Sequence, residues 1–167
     1  GLTWNKQFYD VYAGAPQGLK EGRGVAVTAL LEYTAVHDYL YSRGGRVYGY
    51  SGVYGAPFLG SDSDYTTHRF YFRGYFPVSD KPHRTVDMQV QLGFGTDQLF
   101  GPAYAIGGSN TLRGYASGSI SGNAFFLANV EYQTPLFDYY PLRGGVFMDI
   151  GNAYPSNSDL DFSDLKT

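Results

Sequence analysis

Cysteine is absent from this 167-residue chain, which rules out a disulfide framework and any thiolate metal site. A long apolar run is absent too. The longest, Val25 to Leu31, is interrupted by Thr28 and falls far short of the ~20 residues that a spanning helix requires, so a helical membrane protein is excluded. Neither acidic nor basic residues are in large excess. With a net charge of -3 and basic residues scattered rather than clustered, no nucleic-acid partner is expected. Gly1-Leu2-Thr3-Trp4 has neither a basic n-region nor an apolar h-region, so the expectation is a removed leader or a chain that starts inside a longer protein. Methionine is thin at 2 residues, whereas glycine reaches 23, tyrosine 17 and phenylalanine 12. Aromatic rings suit a pleated surface and glycine suits turns, so the composition predicts many β-strands.

The strands are visible as alternation, because successive strand residues point to opposite faces. The clearest case is Arg84 to Gly95, where Val86, Met88, Val90, Leu92 and Phe94 oppose Asp87, Gln89, Gln91 and Gly93. Before it, Phe70, Phe72 and Phe76 alternate with Arg69, Tyr71, Arg73 and Tyr75, and the polar turn Ser79 to His83 makes the two segments a hairpin. Downstream, Phe126, Ala128, Val130, Tyr132 and Leu136 oppose Leu127, Asn129, Glu131 and Gln133. After a turn near Asp138 to Pro141, Val146, Met148 and Ile150 oppose Arg143, Phe147 and Asp149. Upstream, Val25, Val27, Ala29, Leu31 and Tyr33 oppose Thr28 and Glu32. Weaker segments at Leu2 to Ala13 and Arg46 to Gly55, with ambiguous faces, bring the total to seven.

Short links near 36–44, 79–83 and 138–141 are interleaved with longer ones near 14–23, 56–65, 97–122 and from 153 onward. Short periplasmic turns and long extracellular loops give transmembrane barrels this asymmetry. A soluble antiparallel sandwich also has one apolar face per strand. Strand length favours the barrel: several segments run to about 10 to 14 residues, near the ~9 to 11 that cross a bilayer at a tilt, against ~5 to 6 for soluble strands. Arg69, Arg73, Asp87, Gln89 and Gln91 on adjacent strands suit a hydrated lumen.

The long connection carries Gly107-Gly108-Ser109-Asn110-Thr111-Leu112-Arg113-Gly114-Tyr115. A phosphate-cradling glycine loop needs a helix to follow it, and Ala116-Ser117-Gly118-Ser119 is not one. The residues by themselves read most simply as a flexible surface loop. Two acids on the polar face, Glu131 and Asp149, fall on consecutive strands. Paired carboxylates suggest acid/base work such as glycoside hydrolysis. Alternatively, two like charges need a cation between them, and a planar guanidinium binds both. His37, His68 and His83 lack metal-ligand spacing, and the serines lack a nucleophile elbow. The acidic clusters Asp62/Asp64 and Asp159/Asp161/Asp164 suit weak calcium binding or simple solvation. No catalytic residue, metal or cofactor is expected.

Leu112-Arg113-Gly114-Tyr115 resembles the V-R-G-[FY] motif in the sixth extracellular loop of the BamA/TamA superfamily, the bacterial surface antigen family, with leucine in place of valine. Asn129-Val130-Glu131-Tyr132 is similar to its L-E-[FY] strand, and Val146-Phe147-Met148-Asp149-Ile150-Gly151 to its F-x-D-x-G strand. The resemblance covers residues 107 to 152; residues 1 to 106 match only in strand spacing. It implies an all-β, antiparallel transmembrane β-barrel in the bacterial outer membrane, with seven of about sixteen strands here. These would be the seventh to thirteenth, so the chain would be a fragment, or one part of a barrel completed by other chains, spanning residues 1–167 as a single partial domain. It also implies that the loop at about 97–122 folds inward, so that Arg113, Gly114 and Tyr115 lock to Glu131 and Asp149 with Leu112, Phe147 and Gly151 in support. The implied partners are the lipid bilayer, client outer-membrane or secreted proteins, and the rest of the barrel. The implied function is insertion or translocation of outer-membrane proteins. The alternatives are a two-partner secretion pore or the membrane anchor of a patatin-like lipase, and the N-terminal region of the parent protein would discriminate: POTRA repeats favour assembly or secretion, a lipase domain the anchor.

Overall fold

A computed structural model describes residues 2–9, 22–39, 42–78, 84–96, 101–137 and 139–167. Nine strands occur among them: β1 (Leu2–Tyr9), β2 (Gly22–Tyr39), β3 (Ser42–Gly55), β4 (Tyr65–Pro77), β5 (Thr85–Gly95), β6 (Tyr104–Ile106), β7 (Ile120–Gly122), β8 (Ala124–Leu136) and β9 (Tyr139–Tyr154). Seven form one antiparallel sheet in the order β1-β2-β3-β4-β5-β8-β9, and β6 pairs only with β7. Each long strand lies beside its predecessor in sequence, which is the meander that an up-and-down barrel wall requires. The sheet is open, with β1 and β9 at its ends.

The two faces fall where the alternation puts them. Tyr33, Tyr48, Phe72 and Val90 are register partners across β2 to β5 on one face. Their rings pack from strand to strand, with centroids 6.0 Å apart for Tyr33 and Tyr48 and 5.4 Å for Tyr48 and Phe72. Cross-strand aromatic pairs of this kind stabilise a sheet by roughly 0.2–1 kcal/mol each. Leu31, Phe70, Phe76, Val146 and Met148 share that face and are exposed. In water such a surface would aggregate; against lipid it is the ordinary exterior. The opposite face carries a polar rung in register, Arg73, Gln89, Asn129 and Asp149, one residue from each of β4, β5, β8 and β9.

Several element bounds differ from the sequence reading. The link expected at 36–44 is far shorter, because β2 runs to Tyr39 and β3 starts at Ser42. Gly44, Gly45 and Gly49 concealed that continuation, since glycine contributes nothing to an alternation pattern. Tyr139 already belongs to β9, so the turn near 138–141 is also tighter, and β9 continues past 153 to Tyr154. β1 ends at Tyr9; the remainder of the segment expected to reach Ala13, most of the 14–23 link, the 79–83 turn with His83, and 97–100 lie outside the described residues.

The long connection between β5 and β8 is not a featureless loop. It contains the β6–β7 hairpin, whose Ile106 joins Leu112, Phe125, Leu127 and Ala153 in a buried cluster, with Tyr104, Tyr115 and Ile120 packed against it. Phe125 and Leu127 sit on the polar face of β8, above Asn129 and Glu131, so the inner wall turns apolar where the hairpin lies on it. Gly93 makes the room. A Cβ there would stand 2.3 Å from the Phe125 ring and 2.8 Å from the Tyr104 ring. The Tyr104 hydroxyl in turn lies 2.9 Å from the His68 carbonyl oxygen and 3.0 Å from that of Phe94, tying the hairpin to β4 and β5. Gly93→Val is therefore expected to displace both rings and weaken hairpin docking by about 1–3 kcal/mol. Faster proteolysis between residues 101 and 122, with the sheet itself intact, is the measurement that checks this.

Candidate functional site

The residues from Gly107 to Tyr115 form a compact turn held by its own backbone. The Gly108 N–H donates to the carbonyl oxygens of both Leu112 (3.2 Å) and Tyr115 (3.1 Å), and the Gly107 N–H donates to the Thr111 hydroxyl at 2.8 Å. Gly107 has φ +117°, and a Cβ there would meet the Ala116 carbonyl oxygen at 2.3 Å, so only glycine fits. Gly114, with φ +94° and open space around it, is needed for its backbone conformation rather than for any contact. The apolar side chain beside the arginine, Leu112, is completely buried, and burying a leucine contributes roughly 1.5–3 kcal/mol. It pins the turn to the wall and leaves Arg113 facing β8 and β9.

Arg113 then meets both acids. Its Nε donates to Asp149 Oδ2 at 2.7 Å, Nη2 to Asp149 Oδ1 at 2.6 Å, and Nη1 to Glu131 Oε2 at 2.8 Å. The Arg113 backbone N–H adds a further bond to Asp149 Oδ2 at 3.0 Å. The fork-to-fork geometry with Asp149 is one that guanidinium alone offers among side chains. Asp149 is only 5 % exposed, so its charge depends on these donors. Phe147, which is the register partner of Glu131, lies under the guanidinium with 3.5 Å between the guanidinium carbon and the ring centroid. Hydrogen bonding to Asp149 is the main cause that holds the Arg113 pKa above its ordinary value, so the group stays cationic at any working pH.

The structure thus brings together Leu112, Arg113, Glu131, Phe147 and Asp149. Tyr115 is near them but packs against the apolar cluster, and Gly151 supports the wall through its backbone: its N–H and C=O pair with Lys166 at 2.9 and 3.0 Å. Two contributors escaped the sequence reading. Asn129 Nδ2 donates to the Thr111 carbonyl oxygen at 2.6 Å and to Asp149 Oδ1 at 2.8 Å, joining loop to wall. Gln133 Nε2 donates to Glu131 Oε1 at 2.8 Å and fixes that carboxylate. The signal for both was positional, since they flank Glu131 on the same face. Asn129→Ala is expected to strip Thr111 and Asp149 of one partner each and weaken the contact by about 1–3 kcal/mol. Hydrogen exchange at residues 107–115 would register it, and unchanged protection would show Asn129 to be dispensable.

Among the described residues no group of histidines and acids is arranged to hold a metal ion. Asp62 accepts the Arg23 backbone N–H at 2.5 Å, and Asp164 accepts from Asn152 Nδ2 at 3.2 Å. Asp161 accepts from the Ser163 backbone N–H and hydroxyl, which together hold its carboxyl below the ordinary range. Asp161 thus caps its own turn, while Asp62 and Asp164 tie their loops to β2 and β9. His68 is bonded through Nδ1 to the Tyr50 hydroxyl at 2.8 Å.

Long antiparallel strands with an apolar outer face, a polar inner face and a long link folded against the inner wall define a wall segment of a transmembrane β-barrel. Residues 4–166 match the Omp85 superfamily domain, and the chain belongs to that superfamily. The fold is similar to the crystal structure of BamA from Haemophilus ducreyi lacking POTRA domains 1-3, with a TM-score of 0.68 and 20% identity over 99% of this chain and 40% of that one. The chain therefore spans less than half the length of that relative. Superfamily membership places it in the bacterial outer membrane, and it agrees with the fold class and family expected from residues 107 to 152.

Proposed function

We propose that this chain is the wall and loop portion, one partial barrel domain, of an Omp85 barrel that inserts or translocates outer-membrane client proteins. The observation that supports this reading is the placement of Arg113 between Asp149 and Glu131. An inward-folded link that merely plugged a channel would need bulk. This one carries a guanidinium bonded to two carboxylates on adjacent strands, so it holds β8 and β9 in one arrangement relative to the loop. In this reading the site performs no covalent chemistry: both acids are engaged by one permanently charged guanidinium, which holds them as hydrogen-bond acceptors. Arg113, Gly114, Tyr115, Glu131 and Asp149 act as a lock, with Leu112, Phe147 and Gly151 in support. The bilayer, the rest of the barrel and the client chain are its partners.

Depleting the full-length protein tests the reading. Folded forms of several unrelated outer-membrane barrels should fall together. Loss of a single secreted protein alone would instead mark a secretion pore, and loss of a fused enzyme's surface activity, with clients unaffected, an anchor.

A further inference from the structure

Besides Arg113 the inner wall holds a pair of cations, and they are not matched to carboxylates as Arg113 is. Arg69 and Arg73 lie on the inner face of β4 with Tyr71 between them. Arg69 Nη2 donates to Gln91 Oε1 at 2.5 Å, while Arg73 donates to Gln89 Oε1 from Nε at 3.1 Å and from Nη2 at 2.5 Å. These partners are neutral amides. Among the described residues, neither guanidinium has a carboxylate in salt-bridge range. The nearby acid Glu32 is occupied by the hydroxyls of Tyr71 (2.5 Å) and Thr34 (3.0 Å). All of these side chains line an open concavity of about 560 Å³.

A guanidinium has five donors, and its strongest partners are carboxylates that it can grip in pairs. The Arg113 site demonstrates that preference on the same wall. Two residues four positions apart on one strand face are separated by about 13 Å. An extended polypeptide carrying acids four positions apart repeats that interval, and the glutamine amides and hydroxyls around it suit a peptide backbone. A lipid is disfavoured because this is the inner face; the apolar exterior, with Phe70 and Phe72, is its reverse.

We propose that Arg69 and Arg73 form a docking site for acidic side chains of an extended client segment lying along β4 inside the barrel. The proposal rests on the client-handling function given above and specifies which client feature the wall selects.

The test uses the full-length protein in nanodiscs and a labelled short peptide with two aspartates four positions apart in a serine/threonine background. Fluorescence anisotropy should show binding that weakens at least about tenfold with Arg69→Gln/Arg73→Gln, as expected when hydrogen bonds to charged groups are lost. Aspartate-to-asparagine exchange in the peptide should weaken binding to wild type by a similar factor, and Arg69→Lys/Arg73→Lys should fall between wild type and the glutamine variant, because an ammonium keeps the charge but not the paired grip. Equal binding of the aspartate and asparagine peptides would overturn the proposal, even if the arginine variants failed to assemble. A photocrosslinker at Val47, which also lines the concavity, should capture acidic segments of client chains; adducts only with lipid or with the protein's own chain would overturn it. Client assembly is measured separately, so normal dependence of clients on the protein together with absent peptide binding would refute this site and leave the assembly reading standing.

Discussion

Arg113→Ala should open the loop between Gly107 and Tyr115 and impair client assembly by the full-length protein. The substitution removes four side-chain contacts at once: the two bonds of the fork to Asp149, the bond to Glu131 and the seat on Phe147. What remains is an almost fully buried Asp149 with only Asn129 and the backbone N–H of residue 113 to stabilise its charge. Breaking a buried ion pair from one side costs ~3–5 kcal/mol. The arginine side chain is 24% exposed, so the low end applies, about 3 kcal/mol or roughly a hundredfold shift toward the open loop. Leu112 and the cluster around it still hold the base of the link, so opening should be confined to the turn. Limited proteolysis should cut 107–115 far faster while sparing β6 and β7. Arg113→Lys should fall between, because an ammonium keeps the charge yet cannot grip Asp149 as a fork while reaching Glu131. Wild-type proteolysis together with wild-type client assembly in Arg113→Ala would sink the lock.

How much of this was legible in the residues depends on what each residue type contributes to a periodic pattern. β4, β5, β8 and β9 could be read with the correct faces because a run of apolar residues at alternate positions, such as Phe70 and Phe72, Val86 to Phe94, Phe126 to Tyr132 and Val146 to Ile150, marks one side of each. β3 could not, since Gly44, Gly45, Gly49 and Gly52 leave gaps at which neither face is marked; their pairing with β2 and β4 is a property of the sheet. The β6–β7 hairpin was missed for a different reason. Its strands span only Tyr104–Ile106 and Ile120–Gly122, too short for any alternation to register. One clue was available: Leu127 is apolar on a face that is otherwise polar at Asn129 and Glu131, and an apolar side chain on a wet wall calls for a cover. The ion pairs of Arg113 followed from charge arithmetic and from family resemblance, whereas the hydrogen bonds of Asn129 and the ring beneath the guanidinium depend on register, which fixes Asn129 opposite Asp149 and Phe147 opposite Glu131. That register also aligns Arg73, Gln89, Asn129 and Asp149 in one rung, so the two cationic sites of the inner wall share a row of amides.

The face assignment itself is open to a sharper test. Val90 sits on the outer face of β5, opposite Phe72 on one side and Ala128 on the other, and its sequence neighbour Gln89 belongs to the polar rung. Val90→Arg should therefore place a guanidinium in hydrocarbon at a cost of about 2–4 kcal/mol near the midplane. Thr34→Arg supplies the control. Through Val47 and Arg73, Thr34 lies on the same rung as Gln89, and it faces inward, where its hydroxyl donates to Glu32. An arginine there enters water beside a carboxylate. The full-length Val90→Arg protein should lose most of its heat-modifiable folded form and be depleted from the outer-membrane fraction, while Thr34→Arg should assemble normally. Equal assembly of the two would mean that the apolar face of this sheet does not meet lipid, since the two variants add the same charge and differ in the face that carries it.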